Sequence, residues 1–405
     1  MMDRIEITAD WREMVPHPCD VWTRGKQVPL FKGRTDVNPV FDFGSLAGRS
    51  IVLMFYGGLE RRKSRDALQA VYTKLRSRFD DVRAVFFGVC IDSRDRDRGV
   101  RDSLPGIRVF WDDDLRISRL YGAVAPDQQP RREGKLPFFA FSLVLDSRLR
   151  VYDCIPIESS EQHTRQLSLS LESLLAEERG MRSWMNAPVL IVPNVFPRSF
   201  CDHLIDLYRR QGGSPSGTMV VKGGKTVCKM DRSFKRRSDC QITDPRVIDV
   251  YCRLLADHLF PQIRTAFHFS PDHVERFLVA CYDGEDQAYF RAHRDNTTPG
   301  TAHRRFACTI NLNAEEYSGG DLRFPEYGKA TYRAPTGGAV VFSGSMLHEV
   351  LPVTNGQRYA TLPFIHDAAA EMIRRQNKST LSSEVIHVDR PSLVRVHGRG
   401  AEAGP

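Results

Sequence analysis

Apolar residues run unbroken through Ile51–Tyr56 (IVLMFY), the pattern of a strand buried on both faces. Leu68, Val71, Tyr72, Leu75 and Phe79 then recur at helical spacing, one apolar stripe on an otherwise basic helix. Val82–Asp92 (VRAVFFGVCID) predicts a second buried strand, and Asp114–Tyr121 a short helix closed by Gly122. Phe138–Leu145 and Arg150–Ile155 read as a strand pair around Asp146-Ser147, with Glu161–Leu175 as a closing helix. This order predicts a small α/β domain over residues 1–180.

The pattern changes after a linker-like stretch, residues 181–188, that ends in Met185-Asn186-Ala187-Pro188. Val189–Val192 is a short apolar strand, and a helix follows over Pro197–Arg210. Asp244 as N-cap and Pro245 at the first helical position open the next helix. Its expected apolar face is Val247, Val250, Tyr251, Leu254, Leu255 and Leu259. From Val274 short strands dominate: Val274–Asp283, Phe306–Leu312, Asp321–Pro325, Ala339–Ser343 and Tyr359–Ile365. They are separated by Gly319-Gly320, Pro335-Thr336-Gly337-Gly338 and Asn355-Gly356. Residues 189–370 therefore predict an all-β double-stranded β-helix, or jelly roll, with supporting helices. Residues 371–405 are expected to form a C-terminal tail that frays beyond about Ser379.

Composition narrows the class. With 405 residues, 41% hydrophobic and 27% charged, the chain suits two or three globular domains and not a disordered one. No apolar run is long enough to span a bilayer, so no membrane partner is expected. The N-terminal MMDRIEITADWREM lacks the apolar core of a secretory signal. Nine cysteines are scattered singly without a CxxC pair, which predicts reduced thiols and a cytoplasmic protein. The net charge of +8 is spread over the whole chain and does not by itself indicate nucleic acid. The oligomeric state is left open.

Candidate chemistry lies in the last third. His293-Arg294-Asp295 is followed by His348 and then by Arg358, ten positions further on. Two imidazoles and one carboxylate on one face of an iron leave the opposite coordination positions open, as oxygen activation requires. Arg358 adds a planar cationic fork suited to a carboxylate. Around them stand Leu278–Tyr282, the strand-to-loop turn Tyr289–Asn296, Ser318–Pro325, Ala339–Phe342 and Asn355–Ala360. In this order the elements resemble the iron(II)- and 2-oxoglutarate-dependent dioxygenases, specifically their prolyl-4-hydroxylase-like branch. The resemblance covers residues 188–370. It implies His293, Asp295 and His348 as iron ligands and Arg358 as the anchor of the 2-oxoglutarate carboxylate. It places Tyr282 against the co-substrate. Asn311 stands where oxygen-sensing members use a tyrosine, and Asn296 and Phe364 stand where the branch lines its substrate pocket. The implied cofactors are Fe(II), 2-oxoglutarate and O2, with ascorbate as an accompanying reductant. The implied substrate is an amino-acid residue, proline among the candidates, in a protein, peptide or free amino acid. Succinate and CO2 are the implied co-products.

In the first half, VFFGVCIDS, VFWDDDLRISRLYG and FSLVLDSRLRV resemble the peroxiredoxin branch of the thioredoxin fold over residues 22–178. The loop that carries that family's peroxidatic cysteine reads Gly57-Gly58-Leu59-Glu60-Arg61-Arg62-Lys63-Ser64-Arg65, without a thiol. Cys90 sits inside an apolar strand and reads as a small buried hydrophobe. The implied domain is a thioredoxin-like redoxin fold without peroxidase activity. A non-catalytic two-domain scaffold and a thiol peroxidase are the rival readings. The basic stretch Lys222, Lys225, Lys229, Arg232, Lys235, Arg236 and Arg237 reads as a solvated or partly mobile loop in preference to a binding surface. His303, His366, His387 and His397 read as solvated or loop histidines.

Overall fold

The computed structural model describes residues 16–126, 136–181, 186–382 and 393–395. The chain divides into two compact units, Met1–Met185 with Pro325–Gly328, and Asn186–Phe324 with Lys329–Pro405. No helix among the described residues is long and apolar enough to cross a membrane.

The first unit is built on a five-stranded mixed sheet in the order Ile107–Trp111, Ala84–Cys90, Ser50–Gly57, Phe141–Leu145, Val151–Pro156. The first three run parallel, and the last two are antiparallel to their neighbours. Every residue of Ser50–Gly57 and Ala84–Cys90 is buried, which is why these segments show no polar alternation. Helix Arg62–Lys74 contributes Ala67, Leu68 and Val71 to the core, and helix Ser160–Met181 contributes Leu167, Leu171 and Leu174. The first helix stops at Lys74, so Phe79 is buried from a following turn, not from the helix itself.

Cys19 and Cys154 form a disulfide with Cα atoms 5.1 Å apart, joining the short helix Pro18–Val21 to the edge strand Val151–Pro156. The expectation of reduced thiols throughout fails at this pair, and with it the inference from thiols to a cytoplasmic location. Scattered single cysteines carry no pairing information, because residues 135 apart in sequence meet only in the fold. Cys90 is fully buried, with its Sγ 3.4 Å from Asp95 Oδ2. Burial pushes its thiol up to about 12. A thiol needs an electropositive, accessible setting to act as a nucleophile. The protein should therefore consume no peroxide with common thiol donors, and Cys90→Ser should leave that result unchanged. Peroxide turnover that disappears in the variant would overturn this reading.

The second unit has a large sheet ordered Leu393–Arg395, His273–Glu275, Phe364–His366, Phe306–Asn311, Gln357–Thr361, Leu278–Asp283, Ser238–Gln241, Ser214–Pro215. Ala339–Ser343 branches from Phe306–Asn311 and carries Leu190–Val192. A second sheet contains Phe290–His293, His348–Val350, Leu322–Arg323 and Thr331–Tyr332 in that order. Leu204 and Ile205 of helix Arg198–Gln211 share one core with Val279, Ile310 and Val341 of the large sheet. The same core takes Tyr251, Leu255, Leu259 and Ile263 from the following helical run.

Several boundaries move. Asp244 caps helix Pro245–Leu254 by accepting from the Arg246 amide at 2.9 Å. Its buried stripe, however, is Ile248, Tyr251, Cys252, Leu255 and Leu259, rotated from the expected face through Val250. The expected strand Val274–Asp283 is broken at Arg276, whose φ is 72°, into His273–Glu275 and Leu278–Asp283. The tail also departs from expectation. Helix Ala368–Gln376 crosses the boundary at residue 371, and Leu393–Arg395 pairs with His273–Glu275. Edge strands with no local hydrophobic signal take their partners from the sheet, which local sequence does not display.

His303 and His366 are buried, contrary to the loop reading, while His387 and His397 lie outside the described residues. His303 Nε2 meets Glu275 Oε2, Arg304 pairs with Glu275 Oε1, and His366 Nε2 lies 3.3 Å from Glu371. Burial and the neighbouring His303 lower the His366 pKa from 6.5 to about 4. An unfolded chain binds that proton near 6.5 and the folded chain only near 4. The stabilisation is complete above the upper value and is lost as pH falls toward the lower one. The expected loss is on the order of 3 kcal/mol. Denaturant midpoints measured across this range should fall more steeply for the native chain than for His366→Gln. Equal slopes would remove His366 from the account.

Candidate metal centre

His293 ends the strand Phe290–His293 and His348 begins the strand His348–Val350, and the two residues are direct register partners. Asp295 stands in the turn just after the first strand, where its amide donates to the Gly344 carbonyl at 2.9 Å. His293 Nε2 is 3.7 Å from Asp295 Oδ1, and His348 Nε2 is 3.4 Å from Asp295 Oδ2. One ligand atom from each lies within 4.8 Å of the others.

Each imidazole is oriented by the backbone. His293 Nδ1 donates to the Arg291 carbonyl at 2.8 Å, and His348 Nδ1 to the Met346 carbonyl at 3.1 Å. Such bonds select the tautomer whose Nε2 lone pair is free for a metal. Both partners are main-chain groups two residues upstream, so no side-chain pattern announces them. Phe290 stacks on His293 with centroids 3.5 Å apart, and Phe342 lies 4.6 Å from the His348 ring. Burial and the adjacent His348 hold the His293 imidazole well below its ordinary value, hence neutral, as a ligand must be.

Arg358 lies on the neighbouring large sheet, in register with Tyr282. It is 2% exposed, and its Nε and Nη1 have no hydrogen-bond partner. Leaving such donors unpaired in a protein interior costs free energy, so they mark a receptacle for an anion. The guanidinium sits 5.0 Å over the Tyr282 ring. Gly320, at φ 71°, leaves room beside it, since a Cβ there would meet Arg358 Cδ at 3.1 Å and Val353 Cγ2 at 2.7 Å.

The remaining expected residues are placed less centrally. Asn311 is buried, and its Nδ2 donates to the Ala334 carbonyl at 2.7 Å while Oδ1 has no partner. Asn296 Nδ2 donates to Ser345 Oγ at 2.6 Å. Phe364 lies under the Arg304 guanidinium at 3.9 Å, with Arg276 at 5.4 Å.

The donor set suits a ferrous ion, two imidazoles with Nε2 turned toward one carboxylate, and Arg358 offers unpaired donors for a keto acid. Residues 277–366 match the model of the 2OG-Fe(II) oxygenase superfamily. The C-terminal half carries a 2OG-Fe(II) oxygenase domain. Its cofactor is Fe(II), and its co-substrates are 2-oxoglutarate and O2. A PKHD-type hydroxylase of Shewanella sp. strain MR-7 is 26% identical over 195 residues, covering 46% of this chain and 81% of the relative. A Pseudomonas putida prolyl-4-hydroxylase structure is 19% identical with a TM-score of 0.34, covering 47% of this chain and 97% of its own. The peroxidoxin BcpB of Mycobacterium tuberculosis is 18% identical with a TM-score of 0.30, covering 37% and 97%.

Two residues beside Phe290 and Tyr282 depart from the solvated-loop expectation. Lys235 is 5% exposed and Arg237 7%, whereas Lys222, Lys225, Lys229 and Arg232 are exposed. The segment before them forms a two-stranded ribbon, Thr218–Lys222 with Lys225–Lys229, in place of a loop. Lys235 then bridges to Phe290, which draws it beside the His293 strand. A signal was available: Lys235, Arg237 and Asp239 alternate, as residues on one face of an extended segment do.

Proposed function

We propose that the chain is a hydroxylase in which His293, Asp295 and His348 hold the iron and Arg358, with Tyr282 beneath it, holds the 2-oxoglutarate carboxylate. The observation that carries this reading is the three-ligand cluster His293, Asp295 and His348, together with a buried Arg358 whose Nε and Nη1 have no partner. With iron bound, the site would supply four-electron reduction of O2, one oxygen atom entering succinate as 2-oxoglutarate loses CO2 and the other entering the hydroxylated substrate. The protein positions and excludes. Arg291 and Met346 carbonyls keep Nε2 of each histidine turned inward. Phe290 and Phe342 pack against those rings and keep water from their flanks. Tyr282 sets the height of the guanidinium fork, and Gly320 leaves it the room to lie there.

The target is an amino-acid residue or a free amino acid, and the second unit is a jelly roll with supporting helices. The first unit is a thioredoxin-like redoxin domain without a peroxidatic cysteine, with boundaries near residues 180 and 189. Oxygen-dependent formation of succinate from 2-oxoglutarate tests the reaction. A metabolite and peptide screen for the mass gain of one oxygen atom tests the outcome. No succinate from ferrous-loaded protein in any mixture would favour the non-catalytic scaffold.

A further inference from the structure

Burying an ammonium group is costly unless an opposite charge compensates it. Lys235 is such a group, and no carboxylate among the described residues forms an ion pair with it. Its Nζ donates to Ser216 Oγ at 2.7 Å and to the Gly217 carbonyl at 2.8 Å, and lies 4.7 Å over the Phe290 ring. Phe290 is the ring stacked on His293. Ser216 Oγ also accepts from Arg237 Nη2 at 3.1 Å, so one hydroxyl holds two cations together. Arg237 in turn reaches the Tyr282 hydroxyl with Nη1 at 3.5 Å, on the ring that lies beneath Arg358.

Asp239 is the nearby counter-charge, and it is already engaged. It takes both forks of Arg237, each at 2.7 Å, and Arg276 approaches it at 3.5 Å. Arg237 and Arg276 therefore share one carboxylate and Lys235 has none, next to the ring that packs on His293 and the ring that lies beneath Arg358. 2-oxoglutarate would be held through a carboxylate by Arg358, and Lys235, hydrogen-bonded to Ser216 and Gly217, keeps no carboxylate of its own.

We infer that Lys235 and Arg237 form a second anion subsite in the oxygenase pocket, filled by the carboxylate of a small acid substrate such as a free amino acid. The burial of both cations favours a small molecule, because the anion must enter the pocket completely to reach them. This rests on the proposed hydroxylase reading of the same site.

The test uses the full chain loaded with nickel(II) and saturating 2-oxoglutarate without oxygen. Calorimetry then compares each free L-amino acid with its own carboxamide. Hydrogen bonds to charged groups contribute about 1.5–3 kcal/mol, so at least one acid should bind about tenfold or more tightly than its amide. Lys235→Met and Arg237→Gln should each bring acid and amide close together, and Lys235→Arg should retain the preference. Circular dichroism and nickel affinity exclude misfolding. Acid and amide binding alike, no acid binding, or a preference that survives both neutral variants would each overturn the subsite. An effect of Lys235→Met on 2-oxoglutarate affinity alone would assign the cation to the co-substrate and overturn it as well. Wild-type protein that binds neither nickel nor 2-oxoglutarate would instead defeat the hydroxylase reading on which the subsite depends.

Discussion

Replacing His348 with alanine should abolish ferrous-ion binding and oxygen-dependent 2-oxoglutarate consumption together, and His293→Ala should do the same. Both Nε2 atoms face the Asp295 carboxylate, and no further histidine, cysteine or acidic group joins this cluster among the described residues. Loss of a partner that merely orients a ligand costs about 10–100-fold in metal affinity, so loss of the ligand itself should exceed that range. Nickel(II) or cobalt(II) should bind the native site more tightly than iron without supporting turnover, following the divalent affinity order. Equilibrium metal titration of anaerobic protein measures the first effect. Full iron affinity in both alanine variants would show that the metal sits elsewhere.

Arg358 should show the second large effect. Its Nε and Nη1 lack partners inside the protein, and a carboxylate can take both at once. Lysine places a single point charge where the fork offered two directed donors. Arg358→Lys should therefore weaken 2-oxoglutarate binding by about one charged hydrogen bond, roughly 1.5–3 kcal/mol or about 10- to 150-fold. Arg358→Ala should weaken it further while nickel affinity stays near the native value. Titration of 2-oxoglutarate into nickel-loaded variants reads the change directly. An alanine variant with native co-substrate affinity would remove Arg358 from the anchor role. If the alanine variant instead lost metal affinity in equal measure, Arg358 would be acting through the fold of the strand Gln357–Thr361.

Much of this arrangement was legible locally. The runs through Ile51–Tyr56 and Val85–Cys90 are apolar because both faces of those strands are covered, and burial of that kind is written residue by residue. Asp244 and Pro245 mark a helix start because capping is a contact among immediate neighbours. His293, Asp295, His348 and Arg358 stand out as candidates because their residue types and order are what that chemistry demands, and the first three bring ligand atoms within 4.8 Å of one another. The rest depended on partners far away in the chain. The register between Phe290–His293 and His348–Val350 brings two histidines opposite each other, and main-chain carbonyls orient both. Cys19 meets Cys154, and Leu393–Arg395 finds the edge strand His273–Glu275, through contacts with no local signature. Lys235 and Arg237 illustrate the division most clearly. A sequence reading takes a charged run for a solvated surface, because charge favours water when neighbours are unknown. Only the pairing of Lys235 with Phe290, and the shared Ser216 hydroxyl, turns two of those charges inward beside the ring stacked on His293. Local sequence thus determined the elements and the chemical types at the site, since propensity and capping act over a few residues. The tertiary structure decided which charges are buried, because burial is a property of what packs against a residue and not of the residue itself.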